Sequence, residues 1–194
     1  MPKKKTNLGG LNILLGISGG VAAYKAVDLA SKLRGCGANV KTVMTANACQ
    51  LVQPKSFEAV TASPVFTSLW GPSEGYKIDH INLADWADIV IVAPATANII
   101  GKIANGICDD LLSTVLCACW AKPRLLAAAM NNNMWNNPAV QRNVKLAQEM
   151  GFELTGPETG RLACGEEGIG RMSEPQDILE AITKMASKIK RKKR

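Results

Sequence analysis

The sequence predicts an α/β protein in which a doubly wound parallel sheet carries helices on both faces and forms a single domain. Short apolar runs bounded by turn residues alternate with longer segments of helical periodicity, as in parallel sheets that are covered on both sides. With 194 residues, of which 47% are apolar and 20% charged, the chain is long enough to bury one substantial core.

The first half of the chain is predicted to form three strands separated by helices. The run Leu11–Ile17 is expected to be a buried strand, and the helical segment Val21–Leu33 ends just before Gly35, a typical helix stop. A proline suits the first turn of a helix, so a helix is expected to begin at Pro54. The other predicted elements are a strand at Asn39–Met44, a helical piece around Asn47–Val52 and a strand at Val65–Leu69.

The second half continues the alternation. The β-branched run Ile89–Ala93 is predicted to be a central strand. Gly156–Ser173 is rich in glycine and too long for a plain connection, so we expect a functional loop there. This alternation of strands and helices along the chain is typical of Rossmann or flavodoxin-like folds. The remaining predicted elements are strands at Arg124–Ala128 and Phe152–Thr155 and helices at Ala97–Ala104, Asp110–Cys119, Pro138–Met150 and Gln176–Ile189.

The positive charge is concentrated at the two ends of the chain. The total is +7, but Lys3 to Lys5 supply three charges and residues 188–194 supply six; these nine exceed the total by two, so the rest carries −2. We therefore expect a basic flexible N-terminus at residues 1–10, a folded domain at 11–187 and a basic solvated tail at 188–194. Specific nucleic-acid binding is not expected; weak contact of the tail with RNA or acidic lipid is the alternative.

The cysteines do not have the spacing of a metal site. Six are scattered without a CxxC motif and His80 is the only histidine, so neither a metal centre nor a disulfide is predicted. No apolar stretch approaches the roughly 20 residues that cross a bilayer. The sequence thus predicts a cytoplasmic protein with reduced thiols and no membrane partner.

A glycine-rich turn, Gly16-Ile17-Ser18-Gly19-Gly20, joins the first predicted strand to the first helix. Glycines allow close backbone approach, and a helix N-terminus offers free amides to a phosphate, to which Ser18 can add a hydroxyl. The GxGxxG spacing of dinucleotide sites is absent, and Thr45 ends the second strand where an acid commonly binds ribose. Both observations favour a mononucleotide; the alternative is a tight turn without a ligand.

A second polar cluster follows the Ile89–Ala93 strand, at the edge where doubly wound sheets bind ligands. Thr96 and Asn98 are placed to hydrogen-bond a planar heterocycle there. Alternatively, one of them only caps the following helix.

Three further residues have side chains suited to catalysis. His80 can take and return a proton near neutral pH, although a lone histidine is often structural. Asn131 can hold a carboxylate as a neutral donor, without the strong stabilisation that would resist its loss as CO2; the alternative is a helix-capping loop. Cys164 lies in a glycine-hinged segment that resembles a lid, where a thiol can donate a proton once water is excluded. The other five cysteines are expected to pack in apolar segments.

Six segments, in order, resemble those of the flavin-containing cysteine decarboxylases, and the resemblance extends from Leu11 to Ile182. It implies an FMN-dependent enzyme that oxidises a substrate thiol to a thioaldehyde, which lets the neighbouring carboxylate leave as CO2, and that then reduces the enethiolate. The segments are Gly16–Lys25, His80 before Trp86-Ala87-Asp88, Pro94–Asn98, Asn105-Gly106 with Asp109-Asp110-Leu111-Leu112, Met130-Asn131 with Met134-Trp135, and Ala163–Met172.

The resemblance also implies roles for individual residues. His80 corresponds to the catalytic base, Asn131 to the residue that binds the substrate carboxylate, and Cys164 to the proton donor of the final reduction. The chain departs from the family at Ala128, where proline is usual, and at Ile99, where threonine is usual and would hydrogen-bond FMN. The other expected contacts are Met134 and Ala163 to the substrate, Gly16, Ser18 and Thr45 to the FMN phosphate, and Thr96, Asn98 and the position of Ile99 to the flavin.

Cys164 and its segment are typical of the branch that converts 4'-phosphopantothenoylcysteine to 4'-phosphopantetheine in coenzyme A biosynthesis. The alternatives are a peptidyl-cysteine decarboxylase, a flavin prenyltransferase and a non-catalytic flavin-binding regulator. Family members form trimers, some assembled into dodecamers with FMN between subunits, so a homotrimer or dodecamer is expected. The chain is too short for the synthetase fused to many bacterial relatives, so a separate phosphopantothenate–cysteine ligase is the expected pathway partner.

Overall fold

A computed structural model describes residues 7–70, 79–161, 165 and 167–192 of the chain. At its centre is a parallel six-stranded sheet in the order β3-β2-β1-β4-β5-β6. A separate antiparallel pair, β7 and β8, follows it in the chain. The strands are β1 (Asn12–Ile17), β2 (Asn39–Met44), β3 (Val65–Phe66), β4 (Ile89–Ala95), β5 (Arg124–Ala128), β6 (Phe152–Thr155), β7 (Glu158–Arg161) and β8 (Glu167–Arg171).

Helices cover both faces of the sheet, which confirms the predicted doubly wound α/β fold. They are α1 (Ala23–Gly35), α2 (Ala46–Cys49), α3 (Pro54–Thr61), α4 (Asp79–Trp86), α5 (Ala97–Asn105), α6 (Leu111–Ala118), α7 (Asn132–Trp135), α8 (Pro138–Glu149) and α9 (Pro175–Lys192). On one face α1 packs against α3 and α9, and on the other α5 packs against α6 and α8, with α4 beside α6. Of the helices that the structure describes, none is both long enough and apolar enough to cross a membrane.

The central strands are buried along their whole length and are mostly apolar, because both of their sides are covered. Every residue of β4 and of β5 is buried, as expected for interior parallel strands. Gly16 in β1 has a packing role as well: a Cβ there would lie 2.5 Å from Cδ1 of Leu112. The missing side chain therefore lets α6 approach β1 closely.

The strands β2, β5 and β6 have the predicted bounds, but the segment Gly156–Ser173 differs from its prediction. Instead of an irregular loop, the structure has the hairpin of β7 and β8 there. The sequence of this hairpin has many glycines and little apolar alternation, which hides the strands from pattern analysis. Two helices were also not predicted, α4 and the four-residue α7.

The folded domain extends beyond its predicted boundaries at both ends. Leu8, placed by the sequence in a flexible N-terminus, is 0% exposed in the core, and its amide donates to Cys36 O at 2.9 Å. At the other end, α9 continues to Lys192, into the segment predicted as a separate tail. Within it, Lys188 Nζ lies 3.0 Å from Glu153 Oε1. Amphipathic periodicity extends the helix although its last residues are basic.

Candidate functional site

Four predicted site segments meet at the carboxyl edge of the sheet. Ser18 follows β1, Thr45 follows β2, Thr96 follows β4 and Asn131 lies beyond β5. The four strands are parallel neighbours in the order β2-β1-β4-β5, so the segments lie side by side, about 5 Å apart from strand to strand. The strand order reverses between β1 and β4, where doubly wound sheets bind their ligands.

The turn before α1 presents backbone amides to solvent. Gly19 and Val21 are exposed, and their amides have no acceptor within the described part of the chain. A Cβ at Gly19 would lie 2.4 Å from Asn47 Cβ, and one at Gly20 would lie 3.1 Å from Thr96 Cγ2. The two glycines therefore let the turn pass between α2 and the end of β4 with its amides facing outward.

The N-terminus of α1 also lacks a capping side chain. Ala22 occupies the cap position, and the first turn contains no acidic residue. By contrast, α2, α5, α6 and α7 begin after Thr45, Thr96, Asp110 and Asn131, whose side-chain oxygens accept a hydrogen bond from their own helix. The start of α1 thus keeps free donors and the positive end of a helix dipole. These features fit the phosphate of a mononucleotide such as FMN.

Ser18 and Thr96 connect the ends of β1 and β4. Ser18 Oγ donates to Pro94 O at 2.8 Å, accepts from Thr96 N at 3.2 Å and lies 3.0 Å from Thr96 Oγ1. Thr96 Oγ1 also accepts from Ile99 N, so the helix-capping interpretation of Thr96 is confirmed. Because Ser18 is 2% exposed and its proton is directed to Pro94, its side chain positions the turn; a direct bond from it to phosphate stays a prediction.

The remaining predicted cofactor residues differ in accessibility. Thr45 Oγ1 accepts from Ala48 N at 3.2 Å, which leaves its hydroxyl proton for a ligand. Asn98 is exposed at the start of α5, whereas Gly16 is buried in β1 and offers only its backbone. The Ile99 side chain is 0% exposed and packs in the core, so contact of this position with the flavin stays a prediction.

His80 lies in the first turn of α4 and is half-buried. The other end of this helix is held at the amino edge of the sheet, where Asp88 N donates to Asn12 O at 2.8 Å. His80 precedes Trp86 by six residues, which is about 9 Å along the helix axis. This rise brings the imidazole towards the carboxyl edge of the sheet. Within the described ranges no residue forms a hydrogen bond or ion pair with it. It is therefore available to a ligand on that side.

Asn131 lies where the hairpin of β7 and β8 contacts the sheet. Its Oδ1 accepts from Asn133 N at 2.8 Å, which confirms the capping interpretation without excluding ligand binding by the amide. Directly beside it, Met130 N donates to Gly170 O at 3.0 Å. A Cβ at Gly170 would lie 2.0 Å from Met130 O, so backbone packs directly on backbone at this contact.

The predicted substrate residues lie on both sides of that contact. Met134, in α7, is 47% exposed and lies three residues beyond Asn131. Ala163 and Cys164 lie outside the described residues, in the connection between β7 and β8. Their roles stay predictions.

A cluster of ion pairs joins the hairpin to α1. Glu174 Oε1 lies 2.8 Å from Lys25 Nζ and 2.9 Å from Arg171 Nη2, which is 3.8 Å from Glu158 Oε2. The Lys25 side chain is only 15% exposed. Sequence analysis missed this cluster because Lys25 and Glu174 are 149 residues apart, and no local charge pattern relates them. The ion pairs place the hairpin beside the glycine turn.

The Glu174 carboxylate makes this attachment pH-dependent. The hydrogen bond from Lys25 lowers the pKa of Glu174 from its ordinary value of 4.5, and the charges of Lys25 and Arg171 act in the same direction. Its stabilisation is therefore present above pH 4.5 and is lost as the pH falls through the lowered pKa.

We expect Glu174→Gln to weaken hairpin attachment at neutral pH and to reduce the loss of stability at acid pH. Thermal unfolding measured from pH 3 to pH 7 checks this, with protection of the hairpin amides against hydrogen exchange as a local measure. Glu180→Gln is the matched control, because Glu180 is exposed on α9, the helix that begins directly after Glu174, and has no ion pair among the described residues. Equal pH profiles for the two variants would contradict the assignment.

An apolar cleft of about 350 Å³ lies elsewhere on the molecule. It is bordered by the first residues of β5 and β6, Arg124 and Phe152, and hence lies at the amino edge of the sheet. Despite its size it is separate from the glycine turn, His80 and Asn131. The carboxyl edge is the better candidate site because the free amides and polar side chains converge there.

The comparisons with known proteins agree with this geometry. A family model described as Flavoprotein matches residues 1–187. The chain is 49% identical over 173 residues to the coenzyme A biosynthesis bifunctional protein CoaBC of Bacillus subtilis (strain 168). That match covers 89% of this chain and 42% of the relative, so the chain spans less than half the length of this curated relative.

Two solved structures are similar over nearly their whole length. A mutant PPC decarboxylase complexed with pantothenoylaminoethenethiol has a TM-score of 0.79 and 36% identity, over 89% of this chain and 96% of that one. The FMN binding protein AtHal3 has a TM-score of 0.77 and 36% identity, over 89% and 94% of the two chains.

Proposed function

Because the chain belongs to the Flavoprotein family, we propose that it is an FMN-dependent decarboxylase that converts 4'-phosphopantothenoylcysteine to 4'-phosphopantetheine in coenzyme A biosynthesis. The observation that carries the proposal is the similarity, over almost the entire chain, to a PPC decarboxylase that holds pantothenoylaminoethenethiol. The uncapped start of α1 at the strand-order reversal supports FMN as the cofactor.

Bound FMN would supply a two-electron oxidation of the substrate thiol, and the carboxylate beside the resulting C=S group could then leave as CO2. The amides at Gly19 and Val21, with the Thr45 hydroxyl, would bind the cofactor phosphate. His80 would act as the base, and the neutral amide of Asn131 would hold the substrate carboxylate without stabilising its charge strongly. The hairpin of β7 and β8 would cover the reacting atoms from the side of Asn131.

We further propose that the chain assembles into a homotrimer or dodecamer, as the family resemblance implies. The exposed apolar side chains of Val21 and Tyr24, 63% and 62% accessible, stand next to the glycine turn and support a subunit contact near the cofactor. Size-exclusion chromatography with light scattering tests the assembly. A separate phosphopantothenate–cysteine ligase as pathway partner stays a prediction.

The function is tested directly by incubating FMN-loaded protein with 4'-phosphopantothenoylcysteine and measuring CO2 and 4'-phosphopantetheine by mass spectrometry. A peptide ending in cysteine and a prenyl phosphate with reduced FMN serve as competing substrates for the two enzymatic alternatives. A non-catalytic regulator would bind FMN and transform none of the three. Protein that stays colourless with added FMN would refute the proposal at its first step.

Cys164→Ser is expected to separate the two halves of the reaction. Loss of the proton donor should leave CO2 release intact but stop the final reduction, so that an enethiol accumulates in place of the saturated thiol. This agrees with the enethiol bound in the mutant PPC decarboxylase. Mass spectrometry of the product, two hydrogen atoms lighter than 4'-phosphopantetheine, checks the result. Cys36→Ser, half-buried in a different part of the fold, is the control; saturated product from Cys164→Ser would remove Cys164 from the mechanism.

A further inference from the structure

Two exposed cysteines, Cys108 and Cys117, lie together away from the carboxyl edge. Cys108 precedes α6, and Cys117 is on the last turn of that helix. Cys117 also borders the apolar cleft at the amino edge of the sheet, as does Trp120. Neither thiol has a role in the proposed decarboxylation.

The backbone brings the two sulfur atoms to one turn of α6. Cys108 Sγ lies 4.0 Å from Ser113 O, and Cys108 O accepts a hydrogen bond from Thr114 Oγ1 at 3.4 Å. Ser113 is four residues before Cys117, and a helical side chain leans over the turn that precedes it. The Cys117 thiol therefore covers the same turn that Cys108 touches. Burial raises the pKa of Cys108, and hydrogen bonding to the neighbouring Cys117 raises it further.

The segment between the two cysteines is held firmly. Asp110 caps α6 through the Ser113 amide at 2.8 Å, and Lys102 Nζ from α5 lies 2.6 Å from Asp109 Oδ1 and 2.7 Å from Asp110 Oδ2. The start of the segment is thus fixed, and Cys117 is held by its place in α6, so a covalent link between the two thiols closes a short, preformed loop.

Another described cysteine of the same segment is a poor competitor. Cys119 is 1% exposed, and burial raises its pKa to about 11, so it is neither accessible nor ionised at neutral pH. Cys36 and Cys49 pack against the opposite core cluster, beneath α1, α3 and α9. Among the described cysteines, Cys108 and Cys117 are the pair whose thiols interact with each other.

We propose that Cys108 and Cys117 form a redox-active dithiol that closes to an intramolecular disulfide on reaction with a hydroperoxide. The Cys117 thiolate attacks one peroxide oxygen, the O–O bond breaks, and one water leaves after the leaving oxygen takes a proton. The Cys108 sulfur then attacks the sulfenic acid sulfur of Cys117 and displaces hydroxide. The hydroxide takes up a proton and leaves as a second water. The two thiols lose two electrons and two protons in total, and hydrogen peroxide is reduced to two waters. Burial raises the pKa of Cys108, which suits it to the role of the resolving thiol.

The test treats the FMN-loaded full chain with hydrogen peroxide, blocks remaining thiols and cleaves on the N-terminal side of aspartate. Cleavage at Asp109 and Asp110 places Cys108 and Cys117 in different fragments, which stay joined only if a disulfide links them. We expect joined fragments that separate on adding dithiothreitol, together with quenching of Trp120 fluorescence next to the pair.

Cysteine-to-serine variants make the test specific. Cys108→Ser and Cys117→Ser should each abolish the joined fragments, whereas Cys36→Ser should leave them unchanged. Fragments that separate without reductant, a link from either thiol to a different cysteine, or a disulfide between two chains on a non-reducing gel would each overturn the proposal. Because the readout is a covalent bond, it does not depend on decarboxylase activity.

Discussion

His80→Asn is expected to reduce decarboxylation by roughly 10²–10⁴-fold while FMN binding is kept. Asparagine has a similar reach but cannot accept a proton, so the variant removes the base and retains a polar side chain. His80 is half-buried at the start of α4 and forms no bond with another described residue, so its loss should leave the fold unchanged. The visible flavin spectrum and the unfolding temperature should match those of the wild type.

The turnover number for CO2 release at saturating substrate measures the effect. Asp85→Asn is the control: Asp85 is exposed on the same helix, and its substitution also removes a titratable group. It should retain normal turnover. If His80→Asn turns over at the wild-type rate, His80 is not the base, whatever its position.

Gly170→Ala is expected to lower kcat/KM by about 10²-fold or more, because it displaces the hairpin from Asn131. The added Cβ would lie 2.0 Å from Met130 O. Neither atom belongs to a flexible side chain, so β8 must lift and the bond from Met130 N to Gly170 O must lengthen or break. Overpacking of this kind costs roughly 1–3 kcal/mol, which is enough to detach a peripheral hairpin without unfolding the sheet.

Two other glycines provide a graded series for comparison. At Gly168 a Cβ would lie 3.1 Å from Asn132 Cβ, a smaller conflict that should give an intermediate effect. At Gly35 nothing lies within 4 Å, so Gly35→Ala should be neutral. Hydrogen exchange of the hairpin amides locates the disturbance. Wild-type kinetics for Gly170→Ala would show that the hairpin contact does not support catalysis.

The sheet was predictable because its central strands are mostly apolar on both sides. The bounds of β2, β5 and β6 agree with the prediction, and β4 is longer by only Pro94 and Ala95. The hairpin of β7 and β8 was not predictable in this way. It is held by a backbone contact with Met130 and, through the Arg171–Glu174 ion pair, by Lys25; both are distant in sequence, and neither depends on alternation within the strands.

The site was predictable in composition but not in its bonding. The chain's glycine and threonine motifs mark strand ends that the structure brings together at the carboxyl edge of the sheet. They do not reveal that the Ser18 hydroxyl donates its hydrogen bond to Pro94 O, or that the Ile99 side chain packs in the core. These outcomes depend on the register between β1 and β4, which one segment alone does not determine.

The uncapped N-terminus of α1 affects the stability of the protein when no cofactor is bound. A helix that lacks its cap is less stable by about 1 kcal/mol, and here the missing acceptor would come from a bound anion. Folding and occupancy are then coupled, since a ligand that binds only the native chain raises its melting temperature. Chains that meet little of this ligand would thus unfold at a lower temperature than loaded ones, so ligand supply would set how much of the protein stays folded.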